Sequence, residues 1–311
     1  MFALQSIQET FLQFALFYGF ILLGYSFAKA SGKGKLANKY LTAILVNALI
    51  PLLFFETILT ASSSTLIEIP LIIILTLITQ ILGPVLLYLK LRGSAFEDSV
   101  KGAFYICVTF NNALFIPLPL VLMFVGAAGI PVVIVFSLTQ MMLLATLGSF
   151  MGAVYGSKTK SYRETMKSTL IFPPFLAAIV SGILLVIGIR LPGDIANIFS
   201  YSGMMTTYLA LISVGLGIGV RFSLTDVKSV LPIIGIRQWI VPLIMLPIIV
   251  ISGLSHLSAS IIFLESLMPP AVLTVVYASS FQLDAERAAI IVTVGTLFLL
   301  PIIPLIPFIF G

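Results

Sequence analysis

Ten apolar stretches, each near the length that crosses a bilayer, leave this 311-residue chain few ways to fold. A spanning helix needs about 20 apolar residues. The first five stretches run over about 10–29, 37–59, 66–90, 100–124 and 129–155, and the second five over 167–189, 197–220, 228–251, 257–281 and 285–310. Only 9% of residues are charged and mean hydropathy is +1.20, whereas a soluble domain carries roughly 25% charged residues. The expectation is an all-α polytopic membrane protein with ten transmembrane helices.

A net charge of +5 would suit a nucleic-acid binder if the charges were scattered. They are not. Fourteen of the 16 Lys and Arg residues fall in the odd-numbered loops: Lys29, Lys33, Lys35 and Lys39; Lys90, Arg92 and Lys101; Lys158, Lys160, Arg163 and Lys167; Arg221 and Lys228; and Arg287. The positive-inside rule makes those loops cytoplasmic. That predicts a multi-pass protein of the cell membrane with both termini non-cytoplasmic, and no nucleic-acid partner. The one cysteine, Cys107, builds no disulfide framework, and the one histidine, His256, lies in a short polar turn. No metal site and no cofactor are expected. Met1 to Thr10 has neither a basic start nor a small-residue cleavage site, so no cleaved signal peptide is read there.

Five crossings separate the two halves, so the halves would sit inverted in the membrane. Gly24 and Gly182 are 158 residues apart, as are Glu68 and Asp226. The chain therefore divides into a first five-helix repeat (1–155), a cytoplasmic linker (156–166) and a second five-helix repeat (167–311), with ten unrelated helices as the alternative.

Within the fourth segment stand Asn111 and Asn112, then Pro117 and Pro119; within the ninth stand Met268, Pro269 and Pro270. Prolines break the helical ladder, and broken backbone is tolerated at membrane depth only where protein or a wet cavity covers it. Paired interruptions in matching segments of two halves point to a transporter's binding site. The half-helix N-termini offer free N–H groups suited to a carboxylate, and the asparagines add donors without burying a charge. A proline kink capped by the asparagines is the structural alternative.

The run from Phe110 to Leu120 (FNNALFIPLPL) resembles the fourth-segment signature of the auxin efflux carrier family, which includes plant PIN proteins and prokaryotic malate or malonate permeases. The following Phe124 to Gly129 (FVGAAG) is similar to that family's glycine turn. In the ninth segment Met268 to Val272 (MPPAV), Val276 to Ala278 and Phe281 to Asp284 (FQLD) also match, and a tenth segment follows to Pro301. Pro117, where the family often has Gly, and the weakly polar Ser279 and Ser280 depart from the plant pattern. The absence of a long hydrophilic loop likens the chain to compact, prokaryotic-type members of the bile acid/auxin transporter superfamily. The resemblance implies two inverted five-helix repeats whose broken fourth and ninth helices cross near mid-membrane. It further implies a scaffold (about 1–60 and 167–220), often dimerising, and a moving transport core (about 66–155 and 228–311).

Arg237 and Glu265 are the deepest charges, about 14 Å and about 12 Å inside their segments at about 1.5 Å per residue. Intramembrane charges usually pair or mark a pathway. Either they form a structural pair, or Arg237 joins Asn111, Asn112, Pro117, Pro119, Pro269 and Pro270 in binding an anion while Glu265 couples transport to an ion. Gln80 and Gln140 are further coupling candidates, and Gln238 could line the core likewise. Trp239 reads as core packing, Glu56 as a snorkelling interfacial residue, and the Gly215, Gly217 and Gly219 run as close helix packing. The function expected is a secondary transporter moving a small organic anion by elevator-like alternating access, coupled to a proton or sodium. A sodium-coupled carrier similar to bile-acid symporters, or a transporter-like sensor without flux, are the alternatives. No Walker motif, paired Asp motif or Ser/His arrangement suggests an enzyme.

Overall fold

Each apolar run is helical over most of its described residues. The computed structural model describes residues 2–61, 63–156, 167, 170–221 and 227–310. In chain order the helices are α1 (Phe2–Ser31), α2 (Gly34–Thr60), α3 (Ser63–Leu91), α4 (Asp98–Thr109), α5 (Pro117–Phe124) and α6 (Ala127–Tyr155). Then come α7 (Pro173–Val186), α8 (Gly193–Arg221), α9 (Val227–Ile251), α10 (His256–Leu267), α11 (Val272–Phe281), α12 (Ala285–Leu305) and α13 (Pro307–Phe310). Residues 157–166, most of the expected linker with Lys158, Lys160 and Arg163, lie outside the described residues, as does Asp226.

Among the described residues, 7 helices are long and apolar enough to cross a membrane: α1, α2, α3, α6, α8, α9 and α12. They fall on the expected segments one, two, three, five, seven, eight and ten. The fourth and ninth segments are each two short helices with an extended stretch between them. The sixth, expected over 167–189, shortens to the 14 residues of α7. Pro173 and Pro174 fix its start. At its end Gly188 takes φ +84°, and the N–H groups of Gly188 and Ile189 close on the carbonyls of Leu185 and Leu184. This is the paired bond of a Schellman cap, which needs a left-handed residue.

The helices pack in two groups. α1 lies along α8, and both touch α2, which also carries α7. The α1–α8 contact is backbone to backbone: a Cβ on Gly24 would overlap the Ile212 carbonyl, and one on Gly215 the Ile21 carbonyl. Gly219 stands against Ala28 in the same way, so two of the three glycines in the 215–219 run serve close packing. Gly217 does not; it faces a cleft described below. In the second group α3 packs on α4 and α6, α10 packs on α3, α6 and α9, and α12 packs on α4, α9 and α11.

α2 and α9 each widen into a π turn, at Leu45–Leu49 and Ile236–Ile240, just before Pro51 and Pro242. A proline clashes with the carbonyl four residues back and donates no N–H; widening the preceding turn relieves the clash. The turn in α9 sends Arg237 and Gln238 inward, both buried, and leaves Trp239 50% exposed. Trp239 therefore faces outward, contrary to the expectation of core packing: the extra residue of the π turn rotates it off the buried face.

Candidate functional site

The helical ladder of the fourth segment ends at Thr109, and Phe110 turns extended (φ −105°, ψ 117°). In the ninth segment Met268 (φ −67°, ψ 144°) and Ala271 (φ −67°, ψ 143°) do the same. The two extended stretches meet antiparallel, with Asn111 bridged to Pro270. The Asn112 N–H donates to the Pro269 carbonyl at 2.7 Å, and the Ala271 N–H to the Phe110 carbonyl at 2.9 Å. Pro269 and Pro270 suit this place because neither leaves an N–H to satisfy. Pro117 opens α5, where its missing N–H would have had no helical partner. Pro119 sits in that same first turn, so it does not open the ladder as expected; the opening lies at Phe110, seven residues earlier in numbering terms than Pro117. Pro270 stands in the break itself. Gly295 of α12 lets that helix close on the crossing, since a Cβ there would come within 2.9 Å of Gln238 Oε1 and 3.1 Å of Pro270 Cδ.

Behind the crossing, four buried polar residues satisfy what the break exposes. Gln140 of α6 donates to the Asn111 carbonyl (2.6 Å) and accepts from the Asn111 N–H (3.3 Å), replacing both ladder bonds with one side-chain amide. Gln80 of α3 donates to Gln140 Oε1 (2.7 Å) and to Asn111 Oδ1 (2.9 Å). Asn111 Nδ2 then donates to Glu265, at its carbonyl (3.0 Å) and at Oε2 (3.2 Å). One connected network thus ties α3, α6 and α10 to the break that follows α4. Gln238 adds a bond to the Gly295 carbonyl at 3.1 Å.

Arg237 is fully buried beside this network, and none of its three guanidinium nitrogens has a hydrogen-bond partner among the described residues. Gln80 Oε1, Gln238 Oε1 and Glu265 Oε1 are without partners as well. Arg237 and Glu265 are therefore not hydrogen-bonded to each other.

In front of the crossing lies a cleft of about 810 Å³. Of the residues picked out above as site candidates, Asn112 alone lines it; Asn111, Gln80, Gln140, Arg237, Glu265, Pro117, Pro119, Pro269 and Pro270 do not. Adjacent residues of an extended segment point to opposite sides, which is why Asn111 enters the network and Asn112 the cleft. Asn112 Oδ1 also accepts from the Phe115 N–H (3.1 Å), holding the turn that leads into α5. Phe115, Val272, Val276 and Thr293 share its wall; Asn38, Thr42, Ser213 and Gly217 form the facing wall, and Lys33, Lys35 and Lys39 line one end. Ser213 donates to Asn38 Oδ1 at 2.8 Å and lies 3.3 Å from the Thr42 hydroxyl. In the sequence these lysines read only as topology. The signal was their spacing: Lys35 with Lys39, and Asn38 with Thr42, recur at i, i+4 and so share a face of α2.

At the other end of α2 a second cavity of about 450 Å³ is lined by Glu56, Thr57, Thr60, Glu68, Ser255 and Ser258, among others. Glu68 accepts from the Ser255 N–H (2.7 Å), the Ser255 hydroxyl (3.1 Å) and the Ser258 hydroxyl, which places a carboxylate on the N-terminus of α10. Among the described residues no three His, Cys, Asp or Glu side chains gather as a metal site would need.

Residues 13–307 match the family model described as "Membrane transport protein". An uncharacterized transporter of Methanothermobacter thermautotrophicus is 26% identical over 286 residues, covering 92% of this chain and 93% of its own. Another, of Methanocaldococcus jannaschii, is 27% identical over 293 residues, covering 92% and 94%.

Proposed function

The chain belongs to the membrane transport protein family, that of the auxin efflux carriers and permeases, and from that premise we propose that it is a secondary carrier of a small organic anion. It is a multi-pass membrane transporter and not an enzyme. The observation that carries the substrate class is the cleft: Asn112 stands at the broken crossing on one wall, and three lysines line one end. An anion is drawn toward such an end by the summed positive field. At the crossing an asparagine amide and the free N–H groups of a half-helix can hold a carboxylate without a buried counter-charge. The apolar side chains of Phe115, Val272 and Val276 suit a carboxylate carried on a hydrocarbon body.

In this proposal the chain crosses the membrane ten times, as two inverted five-helix repeats, with both termini non-cytoplasmic. The lysine-lined end then opens to the cytoplasm. The two packing groups are a scaffold of α1, α2, α7 and α8, through which two copies dimerise, and a core of α3 to α6 with α9 to α13. The core slides along the scaffold like an elevator, closing the 810 Å³ cleft as the 450 Å³ cavity at the other end of α2 opens. Glu265, with Gln80 and Gln140, is the coupling centre.

The test is uptake of labelled malate, malonate and an indole carboxylate into proteoliposomes, after a thermal-shift screen selects the acid that stabilises the protein. Flux above that of protein-free liposomes is expected, falling at least roughly tenfold in Asn112→Ala as two charge-assisted hydrogen bonds are lost. Binding without flux would make the chain a sensor instead, and undiminished flux in Asn112→Ala would refute the site.

A further inference from the structure

We infer that Asn38 is a second substrate-binding residue: from the α2–α8 wall of the cleft its amide N–H groups donate to the same carboxylate ligand that Asn112 holds from the opposite wall. The inference rests on reading the cleft as the substrate site.

Each asparagine has its oxygen end tied down. Asn112 Oδ1 accepts from the Phe115 N–H at 3.1 Å. A backbone N–H only donates, so the atom it meets is the amide oxygen, and the NH2 end is turned the other way. Asn112 is 5% exposed and lines the cleft, and its Nδ2 has no hydrogen-bond partner among the described residues.

On the facing wall the order of donors is fixed as well. Ser213 has one hydroxyl hydrogen and gives it to Asn38 Oδ1 at 2.8 Å, so the 3.3 Å contact with Thr42 is a bond donated by the Thr42 hydroxyl. The chain from Thr42 through Ser213 to Asn38 therefore runs one way. It ends on amide N–H groups that none of the described residues accepts. Hydrogen bonds in series polarise one another, which strengthens Asn38 as a donor. Gly217 of α8 leaves room beside it: a Cβ there would meet only Asn38 Nδ2, at 4.0 Å.

This arrangement suits a carboxylate. Lys35, Asn38 and Thr42 all line the cleft along α2, with Thr42 about 10 Å beyond Lys35 at about 1.5 Å per residue. An anion drawn in by the lysines thus meets a neutral donor before it reaches the crossing. Hydrogen bonds to a charged acceptor are about twice as strong as neutral ones, so two amides hold the anion without a buried counter-charge. Asn38 belongs to the first packing group and Asn112 to the second, so the bound acid bridges the two.

The test measures binding of malonate, malate and indole carboxylate to the purified full chain in lipid nanodiscs by titration calorimetry. Wild type is compared with Asn38→Ala, Asn38→Asp, Ser213→Ala and Asn112→Ala, and melting midpoints are taken without acid. Asn38→Ala is expected to weaken binding of the preferred acid roughly tenfold, as one charge-assisted hydrogen bond is lost. Asn38→Asp keeps the side-chain size and the acceptor for Ser213, so it melts as wild type. It puts an anionic oxygen in place of the NH2 group, and binding falls further, roughly a hundredfold. Ser213→Ala frees the amide to turn and lies between wild type and Asn38→Ala. A purely structural role for Asn38 gives the reverse order, with Asn38→Asp binding like wild type and Asn38→Ala less stable. Unchanged binding in either Asn38 variant overturns the inference, so one decides even where the other does not fold. Asn112→Ala separates that failure from failure of the cleft itself. If it weakens binding while the Asn38 variants do not, only Asn38 is removed; if it too binds as wild type, the reading of the cleft falls.

Discussion

Replacing Gln140 by leucine keeps nearly the same volume on α6 and removes one amide. That amide is the sole partner given to both backbone groups of Asn111, through bonds of 2.6 Å and 3.3 Å. The Gln80 amide keeps Asn111 Oδ1 and is not orphaned. The loss is therefore two buried backbone groups, at about 1–3 kcal/mol each. Leucine returns part of this through apolar burial, about 1–2 kcal/mol, which leaves a net destabilisation of about 1–4 kcal/mol. For a chain of 311 residues that lowers the melting midpoint by roughly 2–6 °C. Intrinsic fluorescence of Trp239, the only tryptophan, follows unfolding of the purified protein in detergent. Thr146→Val is the control, because the Thr146 hydroxyl only doubles back to the Met142 carbonyl at 2.9 Å on its own helix. If Gln140→Leu melts together with Thr146→Val and wild type, the amide does not satisfy the break and the account of the network is wrong.

Gly24→Leu should abolish recovery of monodisperse protein on size exclusion, because the new side chain meets the Ile212 carbonyl and the Leu216 N–H, which are backbone atoms that cannot step aside. Gly217→Ala, whose nearest neighbour is Asn38 Nδ2 at 4.0 Å, should behave as wild type in the same run. Changing Lys33, Lys35 and Lys39 together to glutamine should slow anion uptake several-fold at low ionic strength and flatten its salt dependence, since steering by exposed charge is screened within about 10 Å at 0.1 M salt. Uptake that keeps its wild-type salt dependence would remove the lysines from the pathway.

The broken segments were legible because Asn and Pro in an apolar run have no other physical excuse, and the same chemistry picked out Gln80, Gln140, Arg237 and Glu265 as buried polar groups. The sequence could not say which way each one faces. Asn111 and Asn112 separate into network and cleft only because the segment is extended there, and extension depends on pairing with a stretch more than 150 residues away. The expectation that Pro117 and Pro119 break the ladder failed for a related reason: prolines in a first helical turn disturb nothing, so the position of the break is set by the extended stretch around Pro270 that pairs with Asn111. Trp239 was misplaced because the register of α9 shifts at a π turn, which regular periodicity does not anticipate. Lys33, Lys35 and Lys39 were seen only as loop charges, because the wall that turns them into the mouth of a cleft comes from α8 and α11.

The antiparallel bridge has a consequence for how motion in this protein can be watched. The amides of Asn112 and Ala271 are each closed by a carbonyl from the other half of the chain. A core that travels as one body never parts them, so both deuterate slowly through every stage of a transport cycle, although Asn112 borders an open cleft. A cycle that works by pulling the two half-chains apart would expose both at once. Two adjacent isotope-exchange rates, read while the protein turns over, thus act as a clock that runs only if the halves separate.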